Sequence, residues 1–208
     1  GTNRVTVRVE DRQDPYQPRG KQSSSGTPVR IYYYCPSGIW QNVWLEPVPA
    51  LRIDYLRITE SRPDGTLALN VHLHGPSSDG AAELDVLDGL DGVDSGQVIA
   101  QARTSSRGAC LELRTQLPDP RPWSPQDPHL YPLRVRLLHR GQLVDSVESY
   151  TGLRSIELKD GWFHLNGERI FLLMALDQGY WPDTLLAAPD DAALREDVLW
   201  AKRFGFNG

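Results

Sequence analysis

LRIDYLRITESRPDGTLALNVHLHG, residues 51–75, opens the stretch that decides the fold. From position 51 to 154, short runs of alternating apolar and polar residues are interrupted by turn residues about every ten positions, a pattern typical of a β-sandwich. Seven strands over roughly a hundred residues match the size of an immunoglobulin-like sandwich. The predicted strands are residues 51–59, 66–74, 81–87, 97–103, 110–115, 130–140 and 142–151.

The residues before this stretch predict the last strands of another β domain. Residues 2–11 alternate strictly, and Val5, Val7 and Val9 share one face, which predicts a half-buried strand. The aromatic-rich segments 30–34 and 38–45 are predicted to form strands, the second covered on both faces. Pro47 and Pro49 mark a linker, so the first domain is placed at residues 1–49 and the sandwich at 50–154.

The residues after the sandwich, 155–208, predict the opening βα unit of a parallel α/β fold. Residues 162–165, the favoured two-residue turn Asn166-Gly167 and residues 169–176 predict a tight hairpin. The apolar run 171–176 within it predicts a strand buried on both faces. Asp190 or Asp191 is expected to cap a helix that runs to about position 204 and ends at Gly205. The helix has an apolar stripe of Leu194, Val198, Ala201 and Phe204.

Composition narrows the function classes. The net charge of −5 and the absence of a basic run argue against nucleic-acid binding. No window approaches 18 consecutive apolar residues, so no membrane span is predicted. Cys35 and Cys110 are interpreted as free, buried thiols, in keeping with a reducing compartment such as the cytoplasm. We predict neither a cofactor nor a metal.

Three groups of sequence segments, in this order along the chain, resemble one enzyme family. The first comprises residues 3–11, PRGKQ (18–22) and GIWQNVWLE (38–46); the second is WSPQDPHLYPL (123–133); the third is GLR (152–154), FHLNG (163–167) and residues 190–208. Over essentially its whole length the chain resembles family 2 glycoside hydrolases, the β-galactosidase, β-glucuronidase and β-mannosidase group. The resemblance implies the end of a jelly-roll sugar-binding domain, an immunoglobulin-like sandwich, and the entry to a TIM barrel.

The resemblance also implies that the catalytic groups of the family lie elsewhere. Retaining glycosidases use two carboxyl groups, and the acid/base glutamate of this family follows an asparagine, yet the sequence has no Asn-Glu dipeptide. A TIM barrel needs about 250 residues. We therefore expect an internal, inactive fragment of a β-glycosidase whose cut ends promote self-association. The alternative is a free-standing carbohydrate-binding or adhesion module.

The loop after the first predicted barrel strand is the candidate substrate-binding site. Barrel sites form at the carboxyl ends of the strands, where Asp177 could hydrogen-bond sugar hydroxyls and Trp181 could stack on a ring; Gln178 and Tyr180 lie beside them. The alternative is a loop shaped only by turns and packing. The stretch 174–182 departs from the Gly, Asn and His that many family members carry here, which leaves the sugar open.

Three other groups are possible sites, and a structural role is favoured for each. For His72 and His74, on one strand face, solvent exposure is favoured over a metal pair. Asp88, Asp91 and Asp94 are spaced by three, unlike calcium ligands, and are interpreted as turn residues. For Trp40 and Trp44, packing in a core or at a domain seam is favoured over a sugar platform.

Overall fold

The computed structural model describes residues 3–12, 14, 16–18, 20–23, 25–75, 80–89 and 96–208. Within these residues the protein is mainly β, with ten strands and a single α-helix. The chain divides into two compact units. One unit is Glu46–Leu172; the other combines Gly1–Leu45 with Leu173–Gly208.

Seven strands build most of the first unit, and they lie where the alternation predicted them. They are β1 (Arg52–Ser61), β2 (Thr66–His74), β3 (Gly80–Leu87), β4 (Val98–Ser106), β5 (Cys110–Gln116), β6 (Tyr131–His139) and β7 (Gln142–Thr151). The bounds of β2 and β7 agree with the prediction at both ends, and the others differ by one to three residues at an end.

These strands form two antiparallel sheets with a shared core. One sheet has the order β1-β2-β5 and the other β4-β3-β6-β7. Side chains at every second position of β2, β3 and β6 are buried, as a period of two demands of a sheet with one covered face. Leu69 lies opposite Leu113 in one sheet and Leu84 opposite Val135 in the other, and all four belong to one buried cluster.

Polar contacts fix the two sheets to each other. The Asp145 carboxylate on β7 accepts a hydrogen bond of 2.8 Å from the backbone amide of Ile53 on β1. Near the other end of the same strands, the hydroxyls of Ser61 and Thr151 are 2.9 Å apart. Because Ile53 and Thr151 are both buried, these bonds satisfy groups that water does not reach.

The outer face of the four-stranded sheet holds a buried carboxylate. Asp85 on β3 is 4% exposed although its side chain points away from the core. Its carboxylate lies 3.0 Å from the Arg136 guanidinium and accepts a hydrogen bond of 2.7 Å from the Gln101 amide. Neighbouring long side chains therefore both bury and neutralise this charge.

The turn between β1 and β2 requires glycine at position 65. Its φ of +91° favours glycine, and an added Cβ would lie 2.8 Å from the backbone oxygen of Leu117. Gly141, in the turn between β6 and β7, has a φ of +78° but open space around it.

We expect Gly65→Ala to lower the free energy of unfolding by about 2 kcal/mol, because backbone strain and the steric clash add. Gly141→Ala should cost about 1 kcal/mol, because only the strain applies. Urea denaturation of the two variants beside the parent chain measures the difference. Equal losses at the two positions would contradict the clash.

The segment 123–133 begins in the loop 117–130, which precedes β6, and its last three residues are the start of β6. Arg121 makes a bidentate contact of 2.6 and 2.5 Å with Asp127, which lowers the pKa of that carboxyl. The Trp123 amide donates to the Leu153 carbonyl at 2.8 Å, and the Asn166 side chain donates to the Trp123 carbonyl at 3.0 Å. This loop therefore ties the sandwich to the hairpin that follows it.

That hairpin is the small sheet β8 (Ile156–Lys159), β9 (Trp162–Leu165) and β10 (Glu168–Arg169), in the order β10-β9-β8. Asn166 and Gly167 have φ of +52° and +83°, as the favoured two-residue turn requires. The predicted hairpin is confirmed, although its second strand ends at Arg169.

The strands predicted before the linker and at 171–176 are wrong. Among the described residues of 3–11, 30–34, 38–45 and 171–176, no strand forms, and only isolated bridges such as Gln22 with Tyr33 occur. The side chains expected to be covered are open: Val5 is 88% exposed, Trp44 76% and Leu176 84%. Alternation or apolarity alone does not make a strand, because a strand forms only when its backbone hydrogen-bonds to a neighbouring strand.

The helix α1 (Asp191–Arg203) confirms the predicted start and stop. The Asp190 carboxylate accepts a hydrogen bond of 2.8 Å from the Ala193 amide, and Gly205 follows with a φ of +86°. No residue of α1 is buried, so its apolar stripe is exposed as expected of an uncovered face. Self-association through such side chains stays a prediction.

The cysteines are unpaired, as predicted. Cys35 is half-buried and its thiol donates to the Ser23 carbonyl at 2.7 Å. The prediction of a buried thiol is wrong for Cys110, which is exposed because it lies on the outward face of β5.

Candidate functional site

The loop 177–185 folds on itself through its first residues. Asp177 accepts a hydrogen bond of 2.7 Å on Oδ1 from the backbone amide of Gly179, two residues on. This is the geometry of an Asx turn, and Gly179 completes it with a φ of +58°. The Asp177 and Gln178 side chains remain exposed, so the turn presents both polar groups to solvent.

The second half of the loop closes around Trp181. Backbone hydrogen bonds of 2.9 and 3.1 Å join Trp181 and Leu185 in both directions. The Trp181 ring rests against Gly179, since a Cβ added there would lie 3.7 Å from two ring atoms. The indole is half-buried, so it both structures the loop and offers an edge to a ligand.

Tyr33, which is not among the residues predicted for the site, contacts this loop. Its ring stacks on that of Tyr180 with 4.7 Å between centroids and 27° between planes. Its hydroxyl donates a hydrogen bond to Oε1 of Gln178. Burial raises the pKa of the Tyr180 hydroxyl, and the nearby Tyr34 backbone partly opposes that shift. The run of three tyrosines at 32–34 was the available signal, but nothing in it indicated position 178.

The segment that carries Tyr33 is held by its own backbone bonds. The Tyr33 amide donates to the Lys21 carbonyl at 2.7 Å, and the Tyr33 carbonyl accepts from the Ser23 amide at 2.8 Å. Ser23 is buried and also accepts the Cys35 thiol. The Tyr33 ring therefore projects from an anchored backbone rather than from an open loop.

Together these residues offer contacts that suit a sugar. Asp177 supplies a carboxylate that accepts hydrogen bonds, Gln178 supplies a primary amide, and the aromatic rings supply apolar surface. The four predicted residues share one loop by their order in the chain, and the structure adds the contacts of Tyr33 with Gln178 and Tyr180. These contacts suit binding and orientation.

The other candidates gain no ligand geometry. The His72 ring stacks on Tyr55 at 4.1 Å, and its Nε2 lies 3.9 Å from the Cys110 thiol. Among the described residues, no group of three or more His, Cys, Asp or Glu side chains is arranged to hold a metal ion. Asp91 and Asp94, two members of the possible calcium site, lie outside the described residues.

The tryptophans at 40 and 44 are not packed in a core. Trp40 is 55% exposed and Trp44 76% exposed, so core packing, one of the two structural roles favoured for them, is wrong within this chain, and a domain seam stays a prediction. Their open rings fit either a seam with other residues or a sugar platform.

Within the described part of the chain, no helix has the length and apolarity to cross a membrane.

The sequence of the chain is similar to that of known proteins. The family described as glycosyl hydrolases family 2 matches residues 51–154, half of the 208 residues. A putative β-glucuronidase of Formosa agariphila is 30% identical over 180 residues, which are 83% of this chain and 20% of that protein. A β-galactosidase of Lactobacillus delbrueckii subsp. bulgaricus is 29% identical over 168 residues, 79% of this chain and 16% of that protein.

A solved structure shares the fold. A glycosyl hydrolase family 2 member from Bacteroides cellulosilyticus superposes with a TM-score of 0.67 at 20% sequence identity, covering 84% of this chain and 24% of that one. The chain thus spans a fifth or less of the length of the two relatives above.

Proposed function

The chain belongs to glycosyl hydrolases family 2, and from that premise we propose that it supplies a non-catalytic part of a retaining β-glycosidase. The observation that carries the proposal is the coincidence of the family match, residues 51–154, with the two packed sheets of β1 to β7. The relatives act on β-galactosides and β-glucuronides by name, so the parent activity we propose is hydrolysis of a terminal β-glycoside.

We assign the three parts of the chain to the domains that the family implies. Residues 1–49 end a jelly-roll sugar-binding domain, 50–154 form an immunoglobulin-like sandwich, and 155–208 enter a TIM barrel. Two backbone bonds support the barrel assignment: Asn207 donates to Leu173 at 2.9 Å and Ala175 donates to Gly208 at 3.0 Å. The bonded positions advance in the same direction along the two segments, neither of which is a strand here, and α1 lies between them in the chain. We take this order as the beginning of a parallel βα unit.

The chemistry of the parent reaction supports a non-catalytic role for these residues. A retaining mechanism needs an acid/base and a nucleophile about 5–5.5 Å apart, carried by different barrel strands. The two carboxylates of the described loop 177–185, Asp177 and Asp183, lie on one chain segment, and Asp177 is engaged in an Asx turn with Gly179. We therefore assign sugar contact, not bond cleavage, to Asp177, Gln178, Tyr180 and Trp181.

The sandwich is proposed as the scaffold that orients the two flanking parts. Its core of fully buried Leu and Val side chains, and the polar bonds between its sheets, make it the rigid element. Residues 25–45 and 170–190 contain neither a strand nor a helix.

Hydrogen exchange followed by mass spectrometry tests this scaffold role. Backbone amides of β2, β3 and β6 should exchange only through global unfolding, and those of 25–45 and 170–190 at least a hundredfold faster. Equal protection of the strands and the two flanking segments would contradict a scaffold that is stable by itself.

A further inference from the structure

We propose that Tyr33 is a positioning residue that fixes the Gln178 carboxamide as a hydrogen-bond donor, so that Asp177 and Gln178 together select a neutral sugar with adjacent hydroxyls over a uronic sugar. The inference rests on the proposed sugar contact of the loop 177–185 and names the class of sugar that this loop accepts. Nothing in the sequence pattern indicated a partner for Gln178.

The Tyr33 hydroxyl determines which end of the Gln178 amide faces a ligand. It donates to Oε1, and a primary amide carries its acceptor oxygen and its two N–H donors on opposite sides. With the oxygen held by Tyr33, the Nε2 hydrogens face away from that hydroxyl. Gln178 is exposed, so these donors are available to a molecule in solution.

Tyr33 itself has little freedom to release the amide. Its backbone is bonded on both sides, to Lys21 at 2.7 Å and to Ser23 at 2.8 Å. Its ring is stacked on Tyr180 at 4.7 Å, an arrangement that adds to the contact energy of two aromatic rings. The orientation of Gln178 is therefore set before a ligand arrives.

Asp177 presents the opposite hydrogen-bonding character at the preceding position. An ionised carboxylate only accepts hydrogen bonds, and Gly179 uses one of its oxygens at 2.7 Å. Two successive exposed residues thus present an acceptor and then a donor. A pair of adjacent sugar hydroxyls matches them, because a hydroxyl both donates and accepts: one donates to Asp177 and the other accepts from Gln178.

Charge disfavours a uronic sugar at this loop. A sugar carboxylate cannot donate to Asp177 and is repelled by it. The loop 177–185 adds a second carboxylate, Asp183, and contains no Lys, Arg or His. Lys21 and Arg30, in the segment that carries Tyr33, have exposed side chains. If these cations attracted the uronate, the glucuronide would bind as tightly as the galactoside or more tightly, which is the opposite result in the test below.

The experiment is an NMR titration of the whole 208-residue chain with methyl β-galactoside and methyl β-glucuronide. The side-chain amide of Gln178 and the backbone amide of Gly179 should shift with the galactoside, and the glucuronide should bind at least fivefold more weakly. Tyr33→Phe keeps the ring stack but loses the hydroxyl. It should weaken galactoside binding about threefold to tenfold, the effect of one hydrogen bond, and reduce the preference between the sugars.

Tyr32→Phe is the matched control, because Tyr32 is adjacent and exposed and has no bond to Gln178 in the structure. It should leave both affinities unchanged. Equal affinity for the two sugars, an unchanged preference in Tyr33→Phe, or no shift with either sugar would overturn the inference. Release of methanol during the titration would instead contradict the non-catalytic role, while leaving the sugar preference measurable.

Discussion

Replacing Leu84 with alanine is expected to lower the free energy of unfolding by about 3 kcal/mol. Leu84 is fully buried in β3, between β4 and β6, and faces the shared core. Truncation removes its apolar contacts and leaves a cavity that its two cross-strand neighbours, Ala102 and Val135, cannot easily fill. Urea denaturation followed by circular dichroism measures the loss.

Leu143→Ala is the matched control for this prediction. Leu143 lies in β7 and is 60% exposed, so the same chemical change should cost no more than about 0.5 kcal/mol. A loss below about 1 kcal/mol for Leu84→Ala, or similar losses for the two variants, would contradict the position of the core.

Replacing Arg136 with methionine is expected to cost about 2 kcal/mol, because it leaves the buried Asp85 carboxylate without its charge partner. The two groups are 3.0 Å apart and Asp85 is 4% exposed. The expected loss is below that of a fully buried pair because Arg136 is 32% exposed. The Gln101 hydrogen bond remains and supports part of the charge.

A second substitution separates the ion pair from other roles of Arg136. Asp85→Leu combined with Arg136→Met replaces both charges with apolar groups and should recover most of the loss, since the unpaired charge disappears. Arg103→Met is the control on the same face, where Arg103 is 65% exposed and pairs with Glu83 at 3.1 Å. It should change the free energy of unfolding by less than about 0.5 kcal/mol. No recovery in the double variant would contradict the pairing.

The sequence predicted the seven strands of the two sheets closely because the signals for each strand are local. Alternation over nine residues fixed β2 at both ends, and Asn166-Gly167 fixed the hairpin. The cap at Asp190 and the stop at Gly205 likewise depend on residues next to the helix ends. Each of these elements is specified by side chains within a few positions of it.

The wrong strands show what local signals omit. Val5, Val7 and Val9 alternate as well as any residues of the sandwich, yet they are exposed and outside any strand. A strand depends on a neighbouring ladder and on a surface to cover it. The neighbouring strand and the covering surface are formed by other residues, so alternation within residues 3–11 does not show whether they exist.

The candidate site also has a part that the sequence predicts and a part that it does not. Position at the end of a predicted strand was enough to select residues 177–181, because it depends on chain order alone. The contact of Tyr33 with Gln178 joins residues 145 positions apart, and no periodicity in either segment encodes such a pair. The structure supplied the one residue that sets how the loop presents its donors.

Hydrolysis of a panel of aryl β-glycosides by the purified chain tests the central claim, a family 2 part without catalytic power, most directly. The panel comprises galactoside, glucuronide, glucoside and mannoside, with an active β-galactosidase as the positive control. We predict no release of the aryl group above the uncatalysed rate from any substrate, because a retaining mechanism needs a carboxyl pair. Turnover that rises with chain concentration and survives repurification would contradict the claim, and would place both catalytic groups within these residues.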